Sequence, residues 1–260
     1  MPEKTYPFVI IAGGKTPGKI LEAGEDETER GFIDIGGRPM VSWVLDAVRG
    51  CKRYDGLLCI GNVMRLNREL GLELGMLAPD MGSMLDNFMV GMERFRDRPL
   101  VIHMTCDIPL ITSAMLDNLI DRIESIDAEI YYPIVDIKYF DAKFPGGRRT
   151  TQILKEGTFT GGNVFAMNPT AVLKNRSRIE AVIRDRKSPA RLIRLFGLPF
   201  ILKFALRQLD LKGLEKKASQ ILGARMRGVL TKDPEIGFDV DKPVDLNMVR
   251  GIVARSASSK

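Results

Sequence analysis

Residues 8–19 read FVIIAGGKTPGK, an apolar run that passes directly into a loop of small and basic residues. The apolar run predicts a buried strand, and glycines after it let backbone N–H groups approach an anionic ligand closely. Lys15 and Lys19 add positive charge, which suits a nucleoside triphosphate. The spacing excludes both G-x-G-x-x-G and the P-loop pattern G-x-x-x-x-G-K-[ST]. Taken alone, the loop is equally compatible with an ordinary glycine-rich turn.

A second apolar run, residues 100–110 (LVIHMTCDIPL), carries Asp107 near its end in an Asp-x-Pro pattern. Ligands of open α/β sheets bind at the carboxyl ends of strands, and a carboxylate there suits a magnesium ion that carries a triphosphate. A third segment, residues 234–246, places Asp239 and Asp241 on either side of one apolar residue. Both carboxylates should therefore share one face of an extended segment.

The spacing of apolar residues predicts alternating helices and strands along residues 40–135. Helical spacing recurs at 41–48, 84–95 and 116–123, and runs typical of buried strands occur at 57–60, 100–104 and 129–135. Ser83, three residues before Asp86, fits a helix cap. The alternation predicts an α/β domain whose mostly parallel sheet has helices on both faces.

Taken together, these segments resemble the MobA-like NTP transferases, the family of the molybdenum cofactor guanylyltransferase and cytidylyltransferase, and more widely the sugar-nucleotide pyrophosphorylases of GT-A fold. The motifs, in order, are A-G-G at 12–14, I-G-G-R-P-M at 35–40, D-I-P at 107–109, T-G-G-N at 160–163 and D-V-D-K-P-V-D-L at 239–246. The resemblance implies a three-layer α/β/α, Rossmann-like fold of the nucleotide-diphospho-sugar transferase type. It also implies transfer of a nucleotidyl group from GTP or CTP to a molybdopterin-like acceptor or a sugar or alcohol phosphate, with release of pyrophosphate.

The resemblance assigns expected roles to residues of this chain. Asp107, Lys19 and Arg30 are expected to be catalytic, and Asp107 is expected to hold Mg²⁺ or Mn²⁺ with Asp241, or alternatively Asp239, as second ligand. The residues expected to contact the nucleotide are Ala12, Gly13, Gly14, Lys15, Gly82 and Ser83. Those expected to bind the acceptor are Arg148, Arg149, Gly161, Gly162 and Asn163. Gly82 and Ser83 fit a plain helix cap equally well, and the two arginines also fit a solvated turn.

Two departures from the family pattern fall within this site. Gly18 stands where the family has arginine, which leaves Lys19 as the nearest cation, and Arg30 stands where the family has lysine. Arginine keeps the charge but is not an equivalent point charge, so a nucleotide-binding regulator that has lost catalysis is one alternative function. Within the same fold, a glycosyltransferase that uses a sugar nucleotide is another. The acidic loop between them, residues 21–29, either points away from the triphosphate or helps to hold a metal.

Positive charge is concentrated in residues 174–217, where 13 Lys and Arg accompany 4 Asp and Glu. Helix signals occur there at Ser188-Pro189, at Pro199 after Gly197, and between Asp210 and Gly223. We therefore expect a basic helical insertion at about 170–224 within one nucleotidyltransferase domain that spans residues 1–260. Three interpretations are open: a helical lobe that packs on the core or forms a homodimer, a lid over the acceptor, or a helix at a membrane surface.

Composition limits the remaining choices. A hydrophobic content of 45% allows a full core, and the three cysteines show no C-x-x-C pair, which indicates reduced, buried thiols in a cytoplasmic protein. No apolar run reaches the length of about 18 residues that a membrane span needs. The carboxylates would repel a nucleic-acid backbone. His103, the single histidine, is predicted to be a hydrogen-bonded core residue and not a base.

Overall fold

The structure is a computed structural model that describes residues 3–185 and 195–258. Its strands are β1 (Tyr6–Ile11), β2 (Tyr54–Gly61), β3 (Leu77–Pro79), β4 (Val101–Thr105), β5 (Ile130–Asp136), β6 (Thr151–Leu154), β7 (Gly157–Gly161), β8 (Val164–Met167) and β9 (Met226–Thr231). The α-helices are α1 (Gly18–Glu22), α2 (Met40–Arg49), α3 (Val63–Leu70), α4 (Met84–Arg94), α5 (Ser113–Glu124), α6 (Ile137–Lys143), α7 (Pro169–Lys174), α8 (Arg176–Asp185), α9 (Leu198–Ala205), α10 (Leu211–Leu222) and α11 (Pro243–Ser258). Short 3-10 helices lie at Arg30–Phe32, Leu74–Met76 and Pro234–Gly237.

The strands form one nine-stranded sheet in the order β3-β2-β1-β4-β8-β5-β7-β6, with β9 paired to β5. β1 is parallel to β2 and β4, and β5 is parallel to β9. β8 runs antiparallel to both β4 and β5, and the β6–β7 hairpin adds a further antiparallel pair. The predicted α/β fold with a mostly parallel sheet is confirmed, whereas the sequence patterns did not reveal the antiparallel strands β6 to β8.

Side chains of β1 alternate between two cores, one on each face of the sheet. Phe8 and Ile10 pack in the core that includes the apolar faces of α2 and α5, while Val9 packs in the core that includes α4 and α7. Three layers follow from this alternation, as predicted. The predicted helices and strands of residues 40–135 coincide with α2, β2, α4, β4, α5 and β5. Ser83 caps α4, because its Oγ accepts the N–H of Asp86 at 3.1 Å.

β7 and β8 belong to one bent strand that is interrupted at Gly162 and Asn163. The N–H of Gly162 donates to the carbonyl of Pro133 at 2.9 Å, and the N–H of Asn163 donates to the carbonyl of Ile236 at 2.8 Å. A side chain is excluded at Gly161, since a Cβ there would lie 1.8 Å from the hydroxyl oxygen of Tyr132. The T-G-G-N segment therefore joins β5 to the 3-10 helix Pro234–Gly237.

Helices α8, α9 and α10 lie within the basic segment at 170–224. Asp210 caps α10 by accepting the N–H of Gly213 at 2.9 Å, and α10 ends at Gly223, as predicted. α9 begins directly after Gly197 with Pro199 in its first turn, also as predicted. The predicted cap at Ser188-Pro189 lies outside the described residues. Within residues 3–185 and 195–258, no helix combines the length and apolar character that a bilayer crossing requires.

The three cysteines, Cys51, Cys59 and Cys106, are free and buried, as expected from the sequence. Burial raises the pKa of Cys51 and of Cys59 to about 12. Burial is also the main reason that the pKa of Cys106 is raised. Because thiolates are the reactive form of cysteine, these side chains are chemically inert at neutral pH.

His103 in β4 is fully buried, as expected, but the prediction that hydrogen bonds satisfy it is wrong. Neither ring nitrogen has a partner within the part of the chain that the structure describes. The imidazole instead stacks on Phe88, with ring centroids 4.5 Å apart. Burial lowers the pKa of His103 to about 3, so the ring is neutral in the folded protein. Stacking against apolar neighbours therefore replaces the expected polar contacts.

Candidate active site

Three carboxylates converge beyond the carboxyl end of β4. Asp107 lies two residues after Thr105, and the N–H of Val240 donates to the carbonyl oxygen of Asp107 at 2.9 Å. This bond brings Asp239 and Asp241, the neighbours of Val240, beside Asp107. Oxygen atoms of the three side chains lie within 4.8 Å of one another. Asp107 is buried, Asp239 is half-buried and Asp241 is exposed.

Arg30 links the glycine-rich loop to these carboxylates. Its backbone N–H donates to the carbonyl of Gly14 at 3.2 Å, and its guanidinium forms ion pairs with Asp107 and Asp241. Burial by itself would lower the pKa of Arg30, but the two carboxylates outweigh burial and raise it. The predicted catalytic residues Arg30 and Asp107 are therefore in direct contact.

The adjacent residues Arg148 and Arg149 have different surroundings. Arg149 is buried: its guanidinium donates to the carbonyl of Asp239 at 2.8 Å and lies 3.6 Å from a carboxylate oxygen of Asp245. Its guanidinium carbon also lies 4.5 Å from the ring centroid of Phe238. Arg148 is exposed and has no ion-pair partner among the described residues. Arg149 thus fixes the loop that carries Asp239, while Arg148 is available to an anionic ligand.

The carboxylates carry more negative charge than the protein around them neutralises. Burial and the charge of Asp107 raise the pKa of Asp239 to about 7. Burial also disfavours the charged form of Asp241, but Arg30 outweighs it and holds the pKa of Asp241 below its ordinary value. Oδ1 of Asp107 is buried without a hydrogen-bond partner among the described residues. Carboxylate oxygens are preferred ligands of Mg²⁺ and Mn²⁺, so the residues present fit a divalent metal.

The acidic loop at 21–29 is not part of this cluster. Glu27 and Glu29 pair with Arg65, at 3.0 Å and 3.2 Å, and Glu25 pairs with Arg250 at 2.7 Å. Among the described residues, the acidic groups close enough to share a metal are the three aspartates alone. The paired carboxylates of the acidic loop therefore point away from the aspartate cluster, which is the first of the two interpretations given above.

Asp80 connects the two segments that are expected to contact the nucleotide. One carboxylate oxygen accepts the N–H of Gly14 at 2.9 Å, and the other accepts the N–H of Gly82 and the amide of Asn87, each at 2.9 Å. A Cβ at Gly13 would lie 2.3 Å from Asp80, so the close approach requires glycine. Hydrogen bonds from Asn87, Gly82 and Gly14 lower the pKa of Asp80 and keep it ionised.

The glycine-rich loop still offers donors and cations. The N–H of Ala12 is bound to the carbonyl of Ile60 at 2.7 Å, whereas those of Gly13 and Lys15 have no acceptor within the described ranges. The Lys15 and Lys19 side chains are exposed and form no ion pair with any described residue. Ser83 is exposed as well, although its hydroxyl donates to Asp86 at 2.6 Å. The loop can therefore donate hydrogen bonds to phosphate oxygens beside Asp80.

A cleft of about 460 Å³ opens next to the carboxylates. Asp239 and Asp241 line this cleft. All the residues expected to bind the acceptor line it as well: Arg148, Arg149, Gly161, Gly162 and Asn163. The structure thus brings the expected acceptor residues and two of the three carboxylates into one space. Arg30 links the glycine-rich loop to this cleft, because it contacts both Gly14 and Asp241.

Sequence reasoning missed several residues of this site. Asp80 and Tyr132 carry no local signal, because their contacts to Gly14 and Gly161 join distant parts of the chain. Asp245 belongs to the closing motif at 239–246, but the sequence does not indicate its role. It accepts the N–H of Lys242 at 3.0 Å and that of Asp241 at 3.3 Å, which fixes the start of α11.

Sequence and structure comparisons relate the chain to known proteins. The model of the MobA-like NTP transferase domain matches residues 8–199. A hypothetical transferase from Thermus thermophilus is 31% identical and has a TM-score of 0.82, covering 93% of this chain and 99% of its own. No curated protein sequence matches the chain significantly.

More distant solved structures share the fold. CMP:2-keto-3-deoxy-manno-octonic acid synthetase complexed with CTP is 14% identical with a TM-score of 0.62, covering 98% of this chain and 100% of its own. Molybdopterin-guanine dinucleotide biosynthesis protein A from Archaeoglobus fulgidus is 12% identical with a TM-score of 0.53, covering 96% and 99%. The match to the family model extends over most of the chain and includes Asp107 and the glycine-rich loop. The chain therefore belongs to the MobA-like NTP transferase family, a family of nucleotidyltransferases.

Proposed function

We propose that the protein is a Mg²⁺-dependent nucleotidyltransferase of the EC 2.7.7 type that transfers a nucleoside monophosphate to a phosphorylated acceptor and releases pyrophosphate. The observation that carries the proposal is the convergence of Asp107, Asp239 and Asp241 beside both the glycine-rich loop and a cleft. GTP or CTP is the donor that we favour. The names of the structural neighbours, a CTP-bound synthetase and a guanine dinucleotide biosynthesis protein, support that choice.

Asp107, Asp239 and Asp241 would hold the metal. An ion bound there, Mg²⁺ or Mn²⁺, would neutralise charge on the triphosphate and polarise its α-phosphoryl group. The unpartnered Oδ1 of Asp107 supports a ligand role for this residue. Arg30 already pairs with two of the carboxylates, so its guanidinium lies where the α-phosphoryl group would approach.

The reaction that the site would support is an in-line displacement. An oxygen of the acceptor phosphate forms a bond to the α-phosphorus of the triphosphate. The bond from that phosphorus to the oxygen bridging to the β-phosphorus breaks, and its electron pair leaves with pyrophosphate. Such transfers depend on positioning and on dispersal of charge more than on covalent chemistry by the enzyme.

The remaining residues have positioning roles in this proposal. Lys15, Lys19 and the free N–H groups of the glycine-rich loop hold the triphosphate, and Gly82 and Ser83 contact the base or the ribose. Arg148 holds the acceptor phosphate, while Arg149 positions Asp239. The proposal treats residues 1–260 as one nucleotidyltransferase domain with a helical insertion at about 170–224, acting in the cytoplasm.

A nucleotide-binding regulator is the second candidate, and one observation favours it. Arg30 pairs with Asp107 and Asp241 simultaneously, so the site is electrostatically balanced in part without a metal. In such a regulator, binding of a nucleotide would replace these ion pairs without any transfer.

Thermal shift with each of the four ribonucleoside triphosphates, with and without Mg²⁺, tests the proposal. We expect GTP or CTP to raise the melting temperature by roughly 5–10 °C at a concentration of about 100 Kd, and Mg²⁺ to be required. Release of pyrophosphate is then measured with phosphorylated acceptors. Magnesium-dependent binding without release for any acceptor would favour the regulator, and the absence of any shift would contradict both functions.

A further inference from the structure

The cleft has both charged and apolar lining residues. Arg148, Lys242, Asp239 and Asp241 are among the charged ones, and Tyr132, Gln152 and Glu215 add further polar groups. The apolar side chains come from β5, the β6–β7 hairpin and α10: Ile134, Leu154, Phe159, Leu211, Leu214 and Ala218. An acceptor that offers an anionic group to Arg148 and an apolar surface to α10 matches this lining.

A compact hydrophilic acceptor leaves the apolar side chains of α10 without an apolar contact. Hydroxyl groups of a sugar phosphate placed against Leu211 and Leu214 would lose hydrogen bonds with water that these two side chains do not replace. An apolar chain, in contrast, gains free energy with each methylene group that it buries there. Ile134, Leu154 and Phe159 are already packed into a small core of their own, so the wall is preformed.

Helix α9 extends the same apolar wall to the protein surface. Its Phe200 packs against the core formed by Ile134, Leu154, Phe159 and Leu209. Other apolar side chains of this segment face solvent: Leu198 is 55% exposed, Leu202 is 52% exposed and Leu206 is 65% exposed. Contiguous exposure of this kind marks an interaction surface more often than a solvated helix.

The charges around α9 indicate what covers it. Lys203 and Arg207 are exposed within and directly after the helix, and the segment from 174 to 217 has an excess of nine positive charges, as 13 basic residues accompany 4 acidic ones. Apolar side chains flanked by cations suit an anionic bilayer, which accepts the former between its headgroups and attracts the latter.

We infer that the acceptor is a lipid phosphate, a phosphate monoester on an apolar chain, which the protein takes from an anionic membrane surface through α9. This inference rests on the proposed nucleotidyl transfer. The product would be a nucleoside diphosphate lipid, since the lipid phosphate oxygen gains the α-phosphorus and pyrophosphate departs with the electron pair of the broken bond. The apolar chain lies along Leu211 and Leu214, and its phosphate meets Arg148.

The first experiment measures binding of two probes to the full-length protein by titration calorimetry: decyl phosphate below its micelle concentration, and methyl phosphate. We expect decyl phosphate to bind about fiftyfold more tightly, the factor that corresponds to burial of roughly three methylene groups. Leu214→Gln should reduce that preference to about fivefold, because an amide then lies against the chain. Ala218→Phe is the second variant. It narrows the same cleft without adding polarity, so it should also reduce the preference for decyl phosphate.

Triphosphate affinity, measured on the same samples, distinguishes failure of the lipid acceptor from failure of the proposed nucleotidyl transfer. Wild-type protein that binds no triphosphate would overturn the proposed function. Triphosphate binding together with equal affinity for decyl and methyl phosphate would overturn the lipid acceptor alone. A decyl preference that persists in both cleft variants would also overturn it, because the chain would then bind elsewhere.

The second experiment measures co-sedimentation with phosphatidylglycerol vesicles and with phosphatidylcholine vesicles. We expect binding to the anionic vesicles that weakens as salt increases, and at least about tenfold weaker binding for Leu202→Glu. Met64→Glu is the matched control, since Met64 is 76% exposed on α3, where the other exposed residues are the polar Asn67, Arg68 and Glu69, and it should bind like wild type.

Two results would overturn the membrane source of the acceptor. One is the absence of vesicle binding by the wild type. The other is a wild-type dimer in sedimentation analysis that Leu202→Glu converts to a monomer, because α9 would then be covered by a second copy of the chain.

Discussion

The backbone N–H of Val240 donates a hydrogen bond to the carbonyl oxygen of Asp107 at 2.9 Å. This single bond joins the segment after β4 to the segment before α11, and it fixes the side chains of Asp239 and Asp241 beside Asp107. A backbone hydrogen bond therefore makes the carboxylates converge. Preorganisation of this kind lowers the cost of ordering the site when a metal and a triphosphate arrive.

Asp107→Asn should abolish metal-dependent binding of the triphosphate while the fold stays intact. The substitution keeps the shape of the side chain and removes the charge that would face Mg²⁺. We expect affinity in the presence of Mg²⁺ to fall at least about a hundredfold, to the value measured without the metal. Titration calorimetry measures the affinity, and circular dichroism checks the fold.

Asp46→Asn is the control for this substitution. Asp46 also pairs with an arginine, Arg38 at 2.7 Å, but it lies on the exposed side of α2. It should leave the affinity unchanged. Equal affinity in Asp107→Asn and wild type would exclude Asp107 as a metal ligand.

Gly14→Val should weaken binding of the triphosphate at least about tenfold. Gly14 has a φ of +97°, which a β-branched residue rarely adopts, and the substitution would move the neighbouring N–H groups of Gly13 and Lys15, which are free for phosphate. Gly24→Val is a matched control, because Gly24 has a φ of +100° and, like Gly14, no atom within 4 Å of an added Cβ. If both variants lose affinity equally, backbone strain and not the loop explains the effect.

Gly161→Ala should destabilise the protein by about 2 kcal/mol or more, since its Cβ would lie 1.8 Å from the Tyr132 hydroxyl oxygen. Urea unfolding measures the loss. Tyr132→Ala removes the clash, so the double variant should be less destabilised than the sum of the two single changes. Gly75→Ala, with open space around the added atom, should change stability by no more than about 0.5 kcal/mol. Additive effects at residues 132 and 161 would contradict the contact.

Stability should depend on pH through His103. Its pKa in the folded protein, about 3, is below the ordinary value of 6.5, so the unfolded chain binds a proton that the folded chain does not. The contribution of the neutral His103 ring to the free energy of unfolding is therefore complete above the ordinary pKa. It is lost as the pH falls from about 6.5 towards 3.

Between pH 7 and pH 5, wild type should lose about 2 kcal/mol more stability than His103→Leu, which cannot be protonated. Urea unfolding at both pH values gives this difference. Parallel pH dependence in the two proteins would show that the buried ring does not control it.

The sequence predicted the parts of the fold and site that depend on local pattern. Asp107 could be placed because a strand ends before it, and α10 because Asp210 and Gly223 mark its ends. The β6–β7 hairpin was not predicted, since Lys155 and Glu156 form its turn and lack the Asn-Gly or Asp-Gly signal. Asp80 could not be assigned, because the residue that it binds, Gly14, is 66 positions away. Such contacts depend on how the sheet brings distant loops together.

The buried thiols have a practical consequence for studies of this protein. Cys51, Cys59 and Cys106 are the only cysteines of the chain, and all are buried and free. A cysteine introduced at an exposed position such as Leu202 would therefore be the single readily alkylated sulfur. An environment-sensitive fluorophore attached there would report on the surroundings of α9 in the otherwise native sequence, without prior removal of any natural cysteine.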